Sequence, residues 1–287
     1  MSIYTGKTIL ISGGTGTLGT ALSKHILKSN PKKLIIFSRC WLKQKDLRYK
    51  LGNPKNVRFF IGDVRDKDRL IRALHGVDIV IHAAAVKDID ACRYNPSEAL
   101  ATNVTGTQNV ADACIECKVS KALFISSDKA VAPANFYGAS KAMAEEIWLA
   151  YNNYAACDEI MFSVCRYGNV VGSNGSIIPL FKSLIEEGIK SLPVTDDRMT
   201  RYWFEIPDVM KFVDESLENM QGGEIFIPEL PSVRITDICK AFGLPYHIVG
   251  IREGEKLHET MGQGTDSGNN PNGFLTVEEI RATIERC

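Results

Sequence analysis

The chain has 287 residues, 45% of them hydrophobic and 24% charged, enough apolar material to bury a sizeable core. Its 34 basic residues balance 34 acidic ones, which argues against a general nucleic-acid or anionic-membrane surface. The longest apolar stretch, around 79–86, is far short of a membrane span. No signal-like segment precedes the first expected strand, so the chain reads as cytoplasmic. The eight cysteines lie on strand-like and helix-like segments and read as reduced core residues. Cys114-x-x-Cys117 is included, because it sits inside an amphipathic helix without a second pair.

In chain order, residues 7–12 form a short apolar run, followed by Gly13-Gly14-Thr15-Gly16-Thr17-Leu18-Gly19 and a helix pattern to about residue 29. The alternation continues with strands expected over 34–38, 57–61, 78–82, 122–126 and 161–166. Helices are expected over 42–50, 67–74, 97–117 and 136–151. These strands are largely unbroken apolar runs, as in a parallel sheet covered on both faces. The pattern predicts an α/β fold, a Rossmann-like doubly wound parallel sheet. After residue 167 the character changes: a loop over 168–175, helices over 177–187, 207–220, 236–242 and 276–286, short extended pieces over 192–195, 224–227 and 247–249, and a polar glycine-rich loop over 262–273. This half predicts a smaller mixed α/β lobe. The expected division is a nucleotide-binding domain over 1–168, with 202–227 returning to it, and a substrate lobe from 169–201 and 228–287.

Gly13, Gly16 and Gly19 have three-and-three spacing directly after a strand and at a helix start. Glycine there lets the backbone approach a pyrophosphate, which the helix amino terminus favours; Thr15, Thr17 and Leu18 belong to the same turn. The plain alternative is a tight strand-to-helix turn without ligand. The second strand ends in Ser38-Arg39, where an arginine accommodates the 2′-phosphate of NADP, and Lys43, one helical turn on, adds a second charge. Asp63, with Val64 beside it, follows the third strand, where a carboxylate can accept from an adenine amino group or cap a helix. Ala83, Ala84 and Ala85 after the fourth strand leave room for a ribose and nicotinamide, or serve core packing. Asn103 either bonds backbone near the site or belongs to ordinary helix structure.

Residues 126–141 hold the acid/base chemistry. Tyr137 and Lys141 are four apart, on one helix face, and an ammonium beside a phenol favours its phenolate. Upstream, Asp128 and Lys129 place a carboxylate and an amine side by side. An exposed loop pair and a packed helix aromatic are the bland readings of these residues. Ser126 or Ser127 could position a hydroxyl or bind loop backbone. An arginine fork suits a diphosphate and a carboxylate suits paired ribose hydroxyls, which singles out Arg252 and Glu255. His82 reads as core and His258 as structural, since neither belongs to a ligand pair.

With the glycine turn and Tyr137-x-x-x-Lys141 placed, the chain resembles the extended short-chain dehydrogenase/reductases. More narrowly, it resembles UDP-N-acetylglucosamine 4,6-dehydratases of the 5-inverting type. The matching stretches are Ser38-Arg39, Phe60-Ile-Gly-Asp-Val-Arg-Asp66, His82-Ala-Ala-Ala85, Tyr94-Asn-Pro96, Thr102-Asn-Val104, Ser127-Asp-Lys-Ala130, Arg166-Tyr-Gly-Asn-Val-Val-Gly172, Met199-Thr-Arg201 and Gly254-Glu-Lys-Leu-His-Glu259. Two departures stand out: Ser127 replaces a more usual threonine, and the segment between Met261 and Phe274 is shorter than the family's.

The resemblance implies an NADP-dependent lyase acting on a UDP-sugar and assembling as a homo-oligomer. In that reading Tyr137 takes the proton of the sugar's 4-hydroxyl, helped by Lys141 and the positive nicotinamide ring. Lys129 is the base at carbon 5, Asp128 the acid for the departing 6-hydroxyl, and reprotonation from the opposite face inverts carbon 5. These roles require Asp128 protonated and Lys129 neutral, hence a site that excludes water. Asn169, Thr195 and Arg201 match positions lining the family's sugar-nucleotide pocket, and Lys87 and Met199 are counted with them. A retaining dehydratase or a 4-epimerase is the near alternative, and a catalytically silent NADP-sensing scaffold the distant one.

Overall fold

A computed structural model describes residues 2–155, 160–262 and 264–287. Its strands are Thr8–Ser12 (β1), Lys33–Ser38 (β2), Val57–Ile61 (β3), Ile79–His82 (β4), Lys121–Ile125 (β5), Met161–Cys165 (β6), Asn169–Val170 (β7), Leu192–Val194 (β8), Thr200–Phe204 (β9), Ile225–Phe226 (β10), Ser232–Arg234 (β11) and Tyr246–Ile248 (β12). The helices are Thr17–Leu27 (α1), Trp41–Lys50 (α2), Lys67–Leu74 (α3), Ile89–Tyr94 (α4), Pro96–Leu100 (α5), Gly106–Glu116 (α6), Phe136–Tyr154 (α7), Ile177–Glu186 (α8), Ile206–Asn219 (α9), Ile235–Ala241 (α10) and Val277–Arg286 (α11).

Seven strands form one parallel sheet in the order β10-β6-β5-β4-β1-β2-β3. This is the Rossmann-like doubly wound arrangement, with the reversal of strand order beside β1. Successive residues of β1 point to opposite faces. Ile9 and Ile11 pack with Ile36, Ile81, Leu22 and Val213, whereas Leu10 packs with Ile35, Val80, Leu70 and Val110. Each such fully buried side chain contributes about 1.5–3 kcal/mol, so both faces hold the sheet flat against its helices. The chain returns to this sheet late, as β10 beside β6. A separate cluster, with Val194, Trp203, Val233, Ile238 and Ile280 in it, forms the core of the smaller lobe. Sheets β11-β9-β7 and β12-β8 belong to that side, and α11 opens with the expected capping box at Thr276 and Glu279. Among the described residues no helix is long and apolar enough to cross a membrane.

Five segments differ from the pattern read in the sequence. The single helix expected over 97–117 is α5, a π-helical turn at Ala101–Thr105, and α6. Gly106 lies against Val64, where a Cβ would meet the valine side chain at 2.6 Å. α4, capped by the Asp88 carboxylate accepting from the Ala91 amide, was not expected. Neither were β7, β9 and β11, short strands paired with one another, with a further bridge from Ser232 to Phe274.

Candidate active site

At the end of β1 the backbone is pressed tightly into its surroundings. Gly13 has φ +67°, and a Cβ there would stand 2.8–2.9 Å from the backbone of Ala83 and Ala84. At Gly19 a Cβ would stand 2.5–2.7 Å from Gly14 backbone. Ser12 Oγ accepts from the Ala83 and Ala84 amides, which locks the turn to the end of β4. α1 begins at Thr17 without a side-chain cap at Gly16 and without an acidic residue in its first turn. Uncapped amides at the positive end of a helix, behind a glycine cradle, fit a pyrophosphate. Thr15 and Leu18 are half-buried in this turn. The loop after β7 reaches over it: the Asn174 amide donates to Thr17 Oγ1 at 3.2 Å, and Lys87 Nζ donates to Asn174 O at 2.7 Å. Lys87 is thereby tied to protein backbone, and burial lowers its amine from the ordinary lysine range.

At the end of β2, Ser38 is buried and held by Gln44, whose amide donates to the Ser38 hydroxyl and carbonyl. Arg39 and Lys43 stay exposed beyond it, free for a phosphate. Arg39 lies 3.9 Å from Asp63. Asp63 is already engaged by the Arg65 guanidinium at 2.7 Å and the Arg65 amide at 3.0 Å. Burial pushes the Asp63 carboxyl up, but these bonds more than reverse it. Asn103, in the π-helical turn, accepts from the Val86 amide and donates to Val86 O and Ser140 Oγ. It therefore fixes the backbone after Ala85. His82 is fully buried against Phe124 and Trp148 and bonded to Ser12 and Thr107, with burial pushing its ring down to about 3. It is a neutral core residue. His258 bonds Thr200 Oγ1.

Two strands away, the end of β5 runs into a short 3-10 turn at Asp128–Ala130, capped by Ser127. The Asp128 amide donates to Tyr167 O, anchoring the turn to the end of β6. α7 starts with an Asn135 cap on the Gly138 amide. Gly138 lies so close to the turn that a Cβ would stand 2.2 Å from Lys129 O, so only glycine lets the helix bring Tyr137 to this place. Asp128 is 0% exposed. Its Oδ1 accepts from Ser127 Oγ at 2.9 Å and Lys129 Nζ at 3.1 Å. Lys129 Nζ also lies 3.2 Å from Glu259 Oε1. Glu259 comes from the loop before 262, where Ser267 Oγ accepts its amide and Lys256 Nζ stands 3.6 Å from its Oε2.

These contacts set the protonation states. Burial raises the Asp128 carboxyl; the Lys129 charge opposes this and the Glu259 carboxylate reinforces it. Burial lowers the Lys129 amine, but the two flanking carboxylates more than compensate and hold it above the ordinary lysine range. At rest Lys129 is therefore held as an ammonium, whereas the chemistry implied by the resemblance requires it neutral. Asp128 contributes most to this, and Glu259 adds a second counter-ion that the Asp128-Lys129 dipeptide does not reveal. Burial pushes the Tyr137 phenol up to about 12, with the Lys129 charge and Ser127 hydroxyl pulling the other way. Lys141, expected to assist it, instead donates to Ile125 O at 2.6 Å and lies 3.7 Å from the centre of the Phe124 ring. Burial lowers that amine to about 7.

Four buried oxygens here lack a hydrogen-bond partner: Asp128 Oδ2, Ser126 Oγ, Asn169 Oδ1 and Glu259 Oε2. Native interiors leave few such atoms, and these lie on segments joined at one place, since a Cβ on Gly168 would be 3.3 Å from Asp128 Oδ2. They mark where a polar ligand fits. Arg201, on β9, donates to Thr200 O and Leu257 O, and its charge acts on both Lys129 and Glu259. Met199 is buried and takes the Thr195 hydroxyl at its sulfur, so these two pack against each other. Arg252 and Glu255 pair with one another, and Arg252 lies 3.6 Å from Asp90; a diphosphate would have to replace those partners. The residues missed in the sequence are Glu259, Lys256, Gly138 and Asn135. Asn135 carried a local signal, an asparagine directly before a helix, and Lys256 and Glu259 lay within the matching stretch 254–259 without being singled out.

The family model described as polysaccharide biosynthesis protein matches residues 9–274. The chain belongs to that family. It is 50% identical over 268 residues to the UDP-N-acetylglucosamine 4,6-dehydratase (inverting) of Campylobacter jejuni subsp. jejuni serotype O:23/36 (strain 81-176), covering 92% of this chain and 80% of that one. To the UDP-glucose 4-epimerase of Rickettsia canadensis (strain McKiel) it is 40% identical, with 92% of this chain and 80% of the relative covered. The X-ray structure of Pen from Bacillus thuringiensis superposes with a TM-score of 0.91 at 32% identity, covering 99% of this chain and 98% of the other. The resemblance read from the motifs thus spans nearly the whole polysaccharide biosynthesis match.

Proposed function

We propose that the chain is a UDP-N-acetylglucosamine 4,6-dehydratase that inverts carbon 5 and uses NADP. The observation that carries this reading is Asp128: fully buried, with one carboxylate oxygen unpartnered and its carboxyl raised by burial. A carboxyl shifted in that direction is better able to hold a proton to give away, which elimination of a 6-hydroxyl requires and 4-epimerisation does not. The glycine cradle and the uncapped start of α1 would hold the dinucleotide's pyrophosphate. Arg39 and Lys43 would meet a 2′-phosphate, which is what favours NADP over NAD. When bound, the dinucleotide supplies a hydride acceptor and donor.

The chain's own residues do the rest. Tyr137 exchanges a proton with the 4-hydroxyl, with Ser127 and the Lys129 charge easing its ionisation. Asp128 protonates the leaving 6-hydroxyl. Lys129 handles the proton at carbon 5, and the proton its ammonium sheds has an acceptor in Glu259 Oε1 at 3.2 Å. Asn169, Arg201, Arg252 and Glu255 would bind the nucleotide-sugar. The relatives named UDP-glucose 4-epimerase favour a second reading, 4-epimerisation of a UDP-sugar.

One incubation separates them: the purified chain with UDP-N-acetylglucosamine and either NADP⁺ or NAD⁺ in deuterated water, followed by proton NMR. Dehydration gives a methyl group at carbon 6 and deuterium at carbon 5, with coupling constants reporting inversion. UDP-N-acetylgalactosamine without deuterium at carbon 5 would establish the epimerase instead, and equal rates with both cofactors would remove the NADP preference.

A further inference from the structure

The sequence places one carboxylate beside Lys129, and the fold adds another from more than a hundred residues away. Glu259 is 2% exposed, an unusual place for a carboxylate without a task. It is held there deliberately: its amide donates to Ser267 Oγ, the Ser267 amide donates back to its carbonyl at 2.8 Å, and Ser267 Oγ is bonded to Thr200. Its Oε1 faces Lys129 Nζ at 3.2 Å and its Oε2 has no hydrogen-bond partner. The other charged or titratable groups facing the cluster are Arg201 and Tyr202 from β9, Tyr137 from α7, Lys256 from the preceding loop, and Asp266 beyond.

We infer that Glu259 is a positioning residue that serves as the counter-ion of Lys129, so that Asp128, though it touches the same ammonium, keeps its proton. The inference rests on the dehydratase reading for its consequence in catalysis, but not for its physical content. A buried site avoids net charge. With Asp128 protonated, Lys129 charged and Glu259 ionised, these three groups sum to zero. Remove the Glu259 charge, and Asp128 is left as the carboxyl in contact with the Lys129 ammonium and no longer faces a neighbouring negative charge, so its ionisation is favoured. It would then sit as a salt bridge with Lys129, unable to protonate a leaving hydroxyl. Glu259 is kept ionised for this duty: burial opposes its charge, but Lys129, Arg201 and Lys256 together hold its carboxyl below the usual range.

The test is carbon-13 NMR of the whole chain labelled at the aspartate side-chain carboxyl, with Asp128→Asn identifying the resonance. In Glu259→Gln the Asp128 midpoint falls by about one pH unit or more, the size a neighbouring charge produces. Glu259→Asp keeps the charge but draws it back by one methylene, and its midpoint lies between the two. An unchanged or raised midpoint in Glu259→Gln overturns the inference. So does a midpoint in Glu259→Asp identical to wild type, should only that variant fold. If the wild-type chain forms methyl product, Glu259→Gln loses about tenfold in rate near neutral pH and regains it as the pH is lowered. An equal loss at every pH, not relieved in Glu259→Asp, would mark a merely structural residue. A wild-type chain that forms no methyl product would refute the dehydratase reading, while the titration still decides what Glu259 does.

Discussion

The glycine turn after β1 and the charged cluster after β5 lie two strands apart at the same edge of the sheet and are built on opposite principles. The turn is made of backbone: its residues matter for what they lack, and the approaches at Gly13 and Gly19 are to main-chain atoms of Ala83, Ala84 and Gly14. The cluster is made of side chains, with Lys129 between Asp128 from the end of the large sheet and Glu259 from the chain's last third. Asp128, Lys129 and Glu259 come from two distant stretches, and beyond burial the Lys129 charge acts on both carboxyls while both act on it. A site of the first kind tolerates distant change and fails on one added methyl group. A site of the second kind tolerates local volume changes and fails on one missing charge.

The largest break in that comparison is Lys129→Ala. It removes the ammonium between two buried carboxylates, and methyl-product formation should fall by about 10²–10⁴, the range of a lost acid/base group. Cofactor binding, measured by fluorescence titration, should stay within about twofold, because nothing in the glycine turn touches Lys129. Full activity would remove Lys129 from the chemistry, and a joint loss of binding would show the two regions are not independent.

Gly13→Ala is the reciprocal change. Its methyl group would overlap the Ala83 and Ala84 backbone at 2.8–2.9 Å in a left-handed conformation, a cost of about 1–3 kcal/mol of overpacking. Each kcal/mol shifts the melting temperature of a chain this size by about 2–4 °C. Cofactor affinity should fall by about tenfold, while the Asp128 titration stays where it is in wild type. A variant that binds cofactor normally would show that the backbone approach at Gly13 serves packing alone.

The same contrast explains what could be read from the chain. The strands of the large sheet were legible because unbroken apolar runs alternate with helical segments, and the glycine turn because its spacing is local. The interruption at Ala101–Thr105 was not, since it depends on Gly106 fitting against Val64 and Asn103 reaching Val86. β9 and β11 were hidden because three to five residues carry little periodicity, and their pairing joins distant stretches. Arg252 and Glu255 were chosen one by one as ligand groups, yet a spacing of three let them pair with each other first. Asp128 and Lys129 announced themselves as neighbours, but their charge states did not, for these depend on Glu259.

Lys141 offers the finest test, because it belongs to neither principle. It shares a helix with Tyr137, yet its amine is satisfied by a backbone carbonyl and an aromatic face, with burial lowering it to about 7. An unfolded lysine titrates near 10.4. Between about pH 7 and 10.4 the unfolded chain therefore binds a proton that the folded chain does not, and stability rises with pH through that window. Below about pH 7 the folded state must bury the charge, and the penalty is fully present. Lys141→Met removes the titration and keeps the volume. It should stabilise the chain at pH 6 by about 1–2 kcal/mol once the lost bond to Ile125 is counted. By pH 9 that advantage should have largely disappeared. Urea unfolding at the two pH values measures the difference directly. A gain that is the same at both would mean that Lys141 keeps its proton throughout, which would place it with the charged cluster, as an electrostatic partner of Tyr137.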